Sequence, residues 1–221
     1  MSLEAQIFEH LRRYRIVTPE YVESAASEED GPSGKSVIKG LLRHGLVVSR
    51  PLFGRRVYYQ ATPAGAASLK EPVELARPLG RQALPRIFAV HEFCSGLVNG
   101  PRVRLRHDEL AASFPDLVEQ GAPFKGHDYY IEGAPEPRFT RLVVDLGGDY
   151  ERLLRKLLGQ LREAQEIPGL CGMMREGMYA LRILTGEETK AQALRDALAR
   201  RDFSVPIEVT VIPDLLHLWQ V

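Results

Sequence analysis

Cysteine is scarce in this chain, with two residues in 221. Cys94 and Cys171 both lie in apolar segments, and the repeated ligand spacing of a zinc finger does not accompany them. This excludes a disulfide-rich scaffold and gives no support to a structural zinc site. We therefore expect no metal, no cofactor and a reducing, cytoplasmic environment.

Long apolar runs are also missing, because no run approaches the roughly 18 residues that a membrane span needs. The first residues lack the apolar segment of a signal peptide. The sequence therefore predicts a cytoplasmic protein without a membrane partner.

The chain has no net charge, since 29 Lys and Arg residues balance 29 Asp and Glu residues. Bulk charge therefore does not by itself indicate a nucleic-acid partner. The distribution is uneven, because residues 1–70 contain 10 basic and 7 acidic residues, whereas the remainder contains 19 and 22. A basic front half is compatible with phosphate contacts, although the excess is small.

Common catalytic signatures are absent as well. The sequence contains neither of the phosphate-loop patterns GxGxxG and GxxxxGK[ST], nor the nucleophile elbow GxSxG. Gly147-Gly148 follows a predicted strand, but a tight turn into a helix capped by Asp149 explains this pair better than a phosphate loop does. The length suits about two domains, and no standard enzyme motif assigns chemistry to either.

The most informative stretch is residues 33–61, in which a helix pattern is followed at once by a hairpin pattern. Within residues 33–43 the apolar residues share one helical face, and basic residues spaced four apart form a stripe on another. The apolar set is Val37, Ile38, Leu41 and Leu42, and the basic stripe is Lys35, Lys39 and Arg43. Gly45 occupies the expected C-cap position, because glycine adopts the left-handed conformation at little cost.

Two short β-prone runs follow, residues 46–48 and 57–59, joined by residues 51–54. The basic residues around the tip of this predicted hairpin are Arg50, Arg55 and Arg56. The pattern thus predicts a cationic hairpin directly after a basic helix.

Two further helices are predicted before this stretch, at residues 4–14 and 18–26, with a turn rich in glycine, proline and acidic residues at 27–33. Two helices, a turn, a basic helix and a hairpin are the element order of a winged helix-turn-helix. We predict such a domain at residues 1–68, followed by a proline-rich linker at 69–84.

This region resembles the winged-helix domains of bacterial and archaeal regulators in the segments SVIKGLLRHGLVVSR, GRRVYYQ and ATPAG. The resemblance implies that the basic helix docks in the major groove of double-stranded DNA, with the wing on the adjacent backbone. The implied contacts are Lys35, Ser36, Lys39 and Arg43 on the helix and Arg50, Arg55 and Arg56 on the wing. Because one winged helix covers few base pairs, we expect a homodimer. The alternative is a winged helix used only as a protein-interaction scaffold, with the basic stripe as a solvated face.

From residue 85 onward, strand and helix patterns alternate. The predicted strands are residues 102–105, 128–131, 141–145, 178–184 and 207–211, and the main predicted helices are 85–98, 107–114, 148–166 and 187–200. Residues 85–221 are therefore predicted to form an α/β domain with a mixed central sheet. The predicted fold class is α+β and α/β.

The order of these elements resembles the replication-relaxation family of plasmids and integrative elements. The segments LPRIFAVHEF, PDLVEQ and RLVVDLGGDYERLLRKL carry this resemblance. Those proteins join a winged helix to a domain like the PD-(D/E)xK nucleases. The resemblance implies a DNA-binding protein in the replication or maintenance of a mobile element, and transcription regulation is the other process that the winged helix implies.

A nuclease of that fold needs two carboxylates that hold a divalent metal and a nearby lysine. Asp116 and Asp145 are the candidate carboxylates. In the common motif a lysine follows the second carboxylate by two positions, but here that position holds Gly147. Lys156 on the following helix is then the candidate for the catalytic lysine. This departure favours a degenerate, non-enzymatic domain, with a metal-dependent nuclease as the alternative.

Overall fold

Helices and a β-hairpin make up the first part of the chain. The structure is a computed structural model that describes residues 1–27, 31–96, 100–122, 124, 126–132 and 138–219. The chain divides into two compact units, residues 1–91 and 92–219, and the division falls within one helix. The first unit contains α1 (Leu3–Tyr14), α2 (Pro19–Ser27), α3 (Gly34–Arg43), β1 (Val47–Pro51), β2 (Val57–Ala61), α4 (Pro63–Ser68) and most of α5 (Ala83–Cys94).

The first unit has a hydrophobic core shared by α1, α2, α3 and the hairpin. The apolar faces of the three helices meet there, as their 3.6-residue periodicity predicts. The buried residues of this core are Leu3, Ile7, Leu11, Val17, Val22, Ala25, Ile38, Leu41 and Val47. Leu42, expected on the apolar face of α3, is 38% exposed because it lies at the edge of the arc that faces the core.

A Thr-x-x-Gly pattern joins α4 to the chain between α3 and β1. The Thr62 hydroxyl caps α4 by accepting from the Gly65 N–H at 3.1 Å, and it donates to the Gly45 carbonyl oxygen at 2.5 Å. The Thr62 N–H donates to the Leu46 carbonyl oxygen at 3.0 Å. A Cβ atom at Gly65 would lie 2.0 Å from that same oxygen. The close approach of α4 therefore requires that residue 65 have no side chain.

Gly65→Ala is expected to lower the free energy of unfolding by about 3 kcal/mol, because the new methyl group meets a backbone atom that cannot move aside cheaply. Gly40→Ala is the matched control, since Gly40 lies within α3 and an added Cβ there meets nothing within 4 Å. This change should raise stability by up to about 1 kcal/mol through helix propensity. Urea unfolding measures both, and equal stability of Gly65→Ala and wild type would contradict the close contact.

Two histidine rings meet inside the first unit, His10 of α1 and His91 of α5. Their centroids are 4.8 Å apart in an edge-on arrangement, and His10 also stacks on Tyr21 at 3.7 Å. Burial lowers the pKa of His10 well below its ordinary value of 6.5, and the nearby His91 and Arg13 lower this pKa further. His10 is therefore neutral in the folded protein near neutral pH.

Acid is expected to destabilise the protein through His10. The unfolded chain binds a proton at this side chain below about pH 6.5 and the folded chain does not, so the free energy of unfolding falls as the pH drops through that value. One proton gives a slope of at most about 1.4 kcal/mol per pH unit. Urea unfolding between about pH 7.5 and 5 measures it.

His10→Phe retains a ring against Tyr21 and should lose this part of the pH dependence. His44→Gln changes an exposed histidine and serves as the control that retains it. An unchanged slope in His10→Phe would show that another group causes the acid sensitivity.

Residues 69–84, for which a linker is predicted, belong to the first unit and are hydrogen-bonded to β2. The segment contains a 3-10 turn at Val73–Ala76. The buried Gln60 side chain donates to the carbonyl oxygens of Leu75 and Arg77, at 3.2 and 2.6 Å. These bonds hold the middle of the segment beside β2.

The second unit begins with the end of α5. Its further elements are β3 (Ser95–Gly96), β4 (Gly100–Pro101), β5 (Val103–Leu105), α6 (His107–Ser113), α7 (Pro115–Glu119), β6 (Asp128–Glu132), β7 (Arg138–Val144), α8 (Tyr150–Gln165), α9 (Pro168–Arg175), β8 (Tyr179–Thr185), α10 (Glu188–Ala199), β9 (Ile207–Val211), a 3-10 turn (Pro213–Leu215) and α11 (Leu216–Trp219). The sequence patterns did not predict α7, α9, α11 or the short strands β3 and β4.

A five-stranded sheet in the order β5-β6-β7-β8-β9 organises the second unit. β5, β6 and β7 pair antiparallel, whereas β7, β8 and β9 pair parallel. Parallel neighbours need a crossover, and α8 with α9 supplies the first and α10 the second. The mixed α/β class and the mixed central sheet are thereby confirmed.

Some predicted boundaries differ from the structure. The helix predicted for residues 85–98 ends at Cys94, and Ser95–Gly96 then pairs antiparallel with Gly100–Pro101. Residues 97–99 and the predicted loop at 133–137 lie outside the described residues. Across the part of the chain that is described, no helix has both the length and the apolar character needed to cross a membrane.

Candidate nucleic-acid interface

The basic stripe of α3 lies on the exposed face of the helix. The exposed residues of this face are Lys35, Ser36, Lys39 and Arg43. The Ser33 hydroxyl caps the helix by accepting from the Ser36 N–H at 3.3 Å, which leaves the Ser36 side chain outside the cap. Among the described residues, no ion pair or side-chain hydrogen bond engages the three cations. We name Lys35, Ser36, Lys39 and Arg43 the α3 face.

The end of α3 directs the chain into the hairpin. His44 is the C-cap, one residue earlier than the sequence predicts, and Gly45 follows with φ of 66°. The Gly45 N–H donates to the Leu42 carbonyl oxygen at 3.1 Å, and the Leu46 N–H donates to that of Leu41 at 3.0 Å. This pair of bonds is the Schellman motif, which explains why a left-handed glycine is needed at this point.

β1 and β2 form the predicted antiparallel hairpin, in register from Val47 opposite Ala61 to Pro51 opposite Val57. A third segment joins it, because Val17, between α1 and α2, bridges antiparallel to Tyr59. The two residues exchange N–H···O bonds of 3.0 and 2.8 Å. This bridge fixes the middle of β2 to the connection between α1 and α2. The tip also contacts helices, since Arg56 pairs with Glu20 of α2 and the Phe53 ring lies 6.1 Å from that of Phe88 in α5.

The three arginines of the hairpin have different environments. Arg55 is exposed, and Arg50 is partly buried. Arg56 is already engaged, since it pairs with Glu20 of α2 at 2.9 Å and its guanidinium carbon lies 5.0 Å from the centre of the Phe53 ring. Arg55 is thus the hairpin cation best placed for an external partner, and Arg56 would first have to release Glu20.

An apolar groove of about 390 Å³ borders the α3 face, between α2, α3 and β2. Its lining residues are Pro19, Val22, Glu23, Gly34, Lys35, Ile38, Lys39, Leu42 and Tyr59. A Cβ atom at Gly34 would lie 2.7 Å from Val22 Cγ1, so the glycine permits α2 and α3 to pack closely at the base of this groove.

Asp145 of the second unit follows β7 and is 2% exposed. Lys190 Nζ on α10 donates to its two carboxylate oxygens at 2.8 and 2.7 Å. The Thr185 hydroxyl at the end of β8 donates at 2.9 Å, and the Gly147 N–H donates at 3.1 Å. We name this arrangement the Asp145–Lys190 pair. It neutralises the carboxylate within the fold.

The other two residues of the nuclease hypothesis belong to helices of the second unit. Asp116 is exposed on α7 and Lys156 is exposed on α8. Within the described residues, no hydrogen bond or ion pair joins either of them to Asp145. Nor do the described residues contain a group of three His, Cys, Asp or Glu side chains that could hold a metal ion.

Sequence reasoning missed Lys190 as the lysine beside Asp145. It lies 45 residues further along the chain, and only the parallel pairing of β7 and β8 brings it there. The α3 face, in contrast, is exposed and carries its cations at the helical spacing that the sequence shows. Comparisons with protein-family models, with curated proteins and with solved structures find no match for this chain.

Proposed function

We propose that the protein binds double-stranded DNA through a winged helix-turn-helix formed by residues 1–68. The observation that carries this proposal is the α3 face, whose three cations are exposed and engaged by none of the described side chains. From Lys35 to Arg43 the stripe runs for about 12 Å along the helix axis, at about 1.5 Å per residue. A helix that lies in the major groove, which is about 12 Å wide, presents such a stripe to phosphates and base edges together.

The proposed contacts divide by chemistry. Lys35, Lys39 and Arg43 bind phosphates or guanine edges, and the Ser36 hydroxyl accepts or donates at a base edge. Arg55 contacts the adjacent backbone from the hairpin. Arg56 contacts the same DNA backbone once a phosphate has replaced Glu20 as its partner. Arg50 contacts this backbone from β1.

The biological setting of the proposal comes from the sequence resemblances alone. The winged-helix regulators support transcription regulation, and the replication-relaxation family supports replication or maintenance of a mobile element. A homodimer would place two α3 faces on two half-sites and so raise specificity. A monomer mass that is independent of concentration in light scattering would count against the dimer.

The experiment that tests DNA binding is a titration of a labelled duplex by the full chain at several salt concentrations. Affinity should fall linearly on a log–log plot, with a slope of about −0.9 for each phosphate contacted. Absence of binding at about 50 mM salt, where such contacts are strongest, would refute the proposal.

A protein-interaction scaffold is the second candidate function, and the apolar groove beside α3 favours it. Pro19, Val22 and Leu42 would meet an apolar segment of a partner, while the lysines on the lining contact its acidic residues. Burial of apolar area varies little with salt, so this function predicts binding that persists at high salt and no affinity for DNA.

A further inference from the structure

We propose that the second unit binds a phosphate-bearing ligand in the groove between the start of α8 and the end of α10. The groove measures about 380 Å³, within the range of about 300 to 1,000 Å³ that small-molecule sites occupy. Its lining residues are Tyr150, Glu151, Leu154, Arg155, Ala197, Arg200 and Arg201. The lining thus contains three guanidinium groups and one carboxylate, and we name this feature the arginine groove.

The arginines of the groove are available to a ligand. Arg155 and Arg201 are exposed, and none of the described residues forms an ion pair or a side-chain hydrogen bond with them. Arg200 is also exposed, and its Nε donates to the Asp196 carbonyl oxygen at 3.0 Å. That bond fixes the side chain along its own helix and leaves the two terminal nitrogens of the guanidinium uncommitted. A planar guanidinium matches the oxygens of a phosphate with two parallel hydrogen bonds.

The remaining lining residues favour a nucleotide or a nucleic-acid strand over a bare inorganic ion. Leu154 is buried beneath the groove, and Tyr150 at the first turn of α8 is partly exposed. An aromatic ring beside cations is the combination that binds a base and its phosphate together.

This inference goes beyond DNA binding by the first unit. Every lining residue belongs to the second unit, and none is part of the α3 face. Loss of one site therefore leaves the residues of the other intact. The ligand can be a free nucleotide or a phosphate of single-stranded nucleic acid, since the recognising chemistry is the same.

The test is a set of calorimetric titrations of the full chain at low salt with inorganic pyrophosphate, a nucleoside triphosphate and a single-stranded oligonucleotide. The variant Arg155→Ala with Arg201→Ala removes two exposed guanidinium groups. We expect it to lose about tenfold or more in affinity for the probe that binds. The control is Arg162→Ala with Arg175→Ala, which removes the same charge from exposed positions on α8 and α9 outside the groove.

If the triphosphate binds and only the groove variant loses affinity for it, the result would support a free nucleotide as the ligand. Binding of the oligonucleotide alone, with the same loss, would support nucleic acid. Equal losses in the groove variant and the control, or no binding of any probe by the wild type, would overturn the proposal. Unchanged thermal midpoints of both variants would show that the comparison concerns folded protein.

Discussion

Replacing Lys35, Lys39 and Arg43 together with alanine is expected to lower the affinity for double-stranded DNA by about two orders of magnitude at low salt. Each cation that contacts a phosphate releases a condensed counterion, so that removing three should make the salt slope shallower by up to about 2.7. Fluorescence anisotropy at several salt concentrations measures affinity and slope together. The fold should survive, because the three side chains are exposed and alanine is the best helix former.

The matched control replaces Lys70, Arg162 and Arg175 with alanine. These residues are exposed, and their removal changes the net charge by the same three units without touching the α3 face. If both triple variants lose affinity equally, the loss reflects net charge and not a docking surface. If neither loses any, the stripe is a solvated face, and the apolar groove or the arginine groove becomes the better candidate for function.

The α3 face could be predicted because its signals are local. Helical periodicity places the three cations on one side, and residues within a few positions supply the caps, Ser33 at the start and the left-handed Gly45 after the end. Such features depend on neighbours in sequence, which a sequence shows directly. The mixed sheet was predictable for a similar reason, since the strand and helix patterns that build it are also local.

The interior polar groups of the second unit could not be predicted in this way. Arg141 in β7 is 1% exposed, and its Nη2 lies 2.8 Å from Nδ1 of His127. Burial of a guanidinium lowers the free energy of unfolding unless partners surround it, so a sequence pattern would place Arg141 at the surface. The Asp145–Lys190 pair is hidden for a second reason, because its two residues meet only after two parallel strands have paired.

Lys190→Met is expected to lower the free energy of unfolding by about 3 to 5 kcal/mol, because it leaves Asp145 as an uncompensated buried charge. The Thr185 hydroxyl and the Gly147 N–H would still donate to the carboxylate, but neither neutralises it. The single tryptophan, Trp219, reports on the change, since its ring centre lies 5.9 Å from Lys190 Nζ. Urea unfolding followed by its fluorescence gives the stability of the second unit.

Asp145→Asn combined with Lys190→Met removes both charges and should recover most of that loss, because the buried site then holds neutral groups. Stability of Lys190→Met equal to wild type would contradict the buried pair.

The same double variant gives the sounder test of nuclease activity. Asp145→Ala leaves Lys190 without its counter-charge, so that lost cleavage would be confused with lost folding. Metal-dependent cleavage that survives in the folded double variant would instead show that Asp145 is not a catalytic ligand.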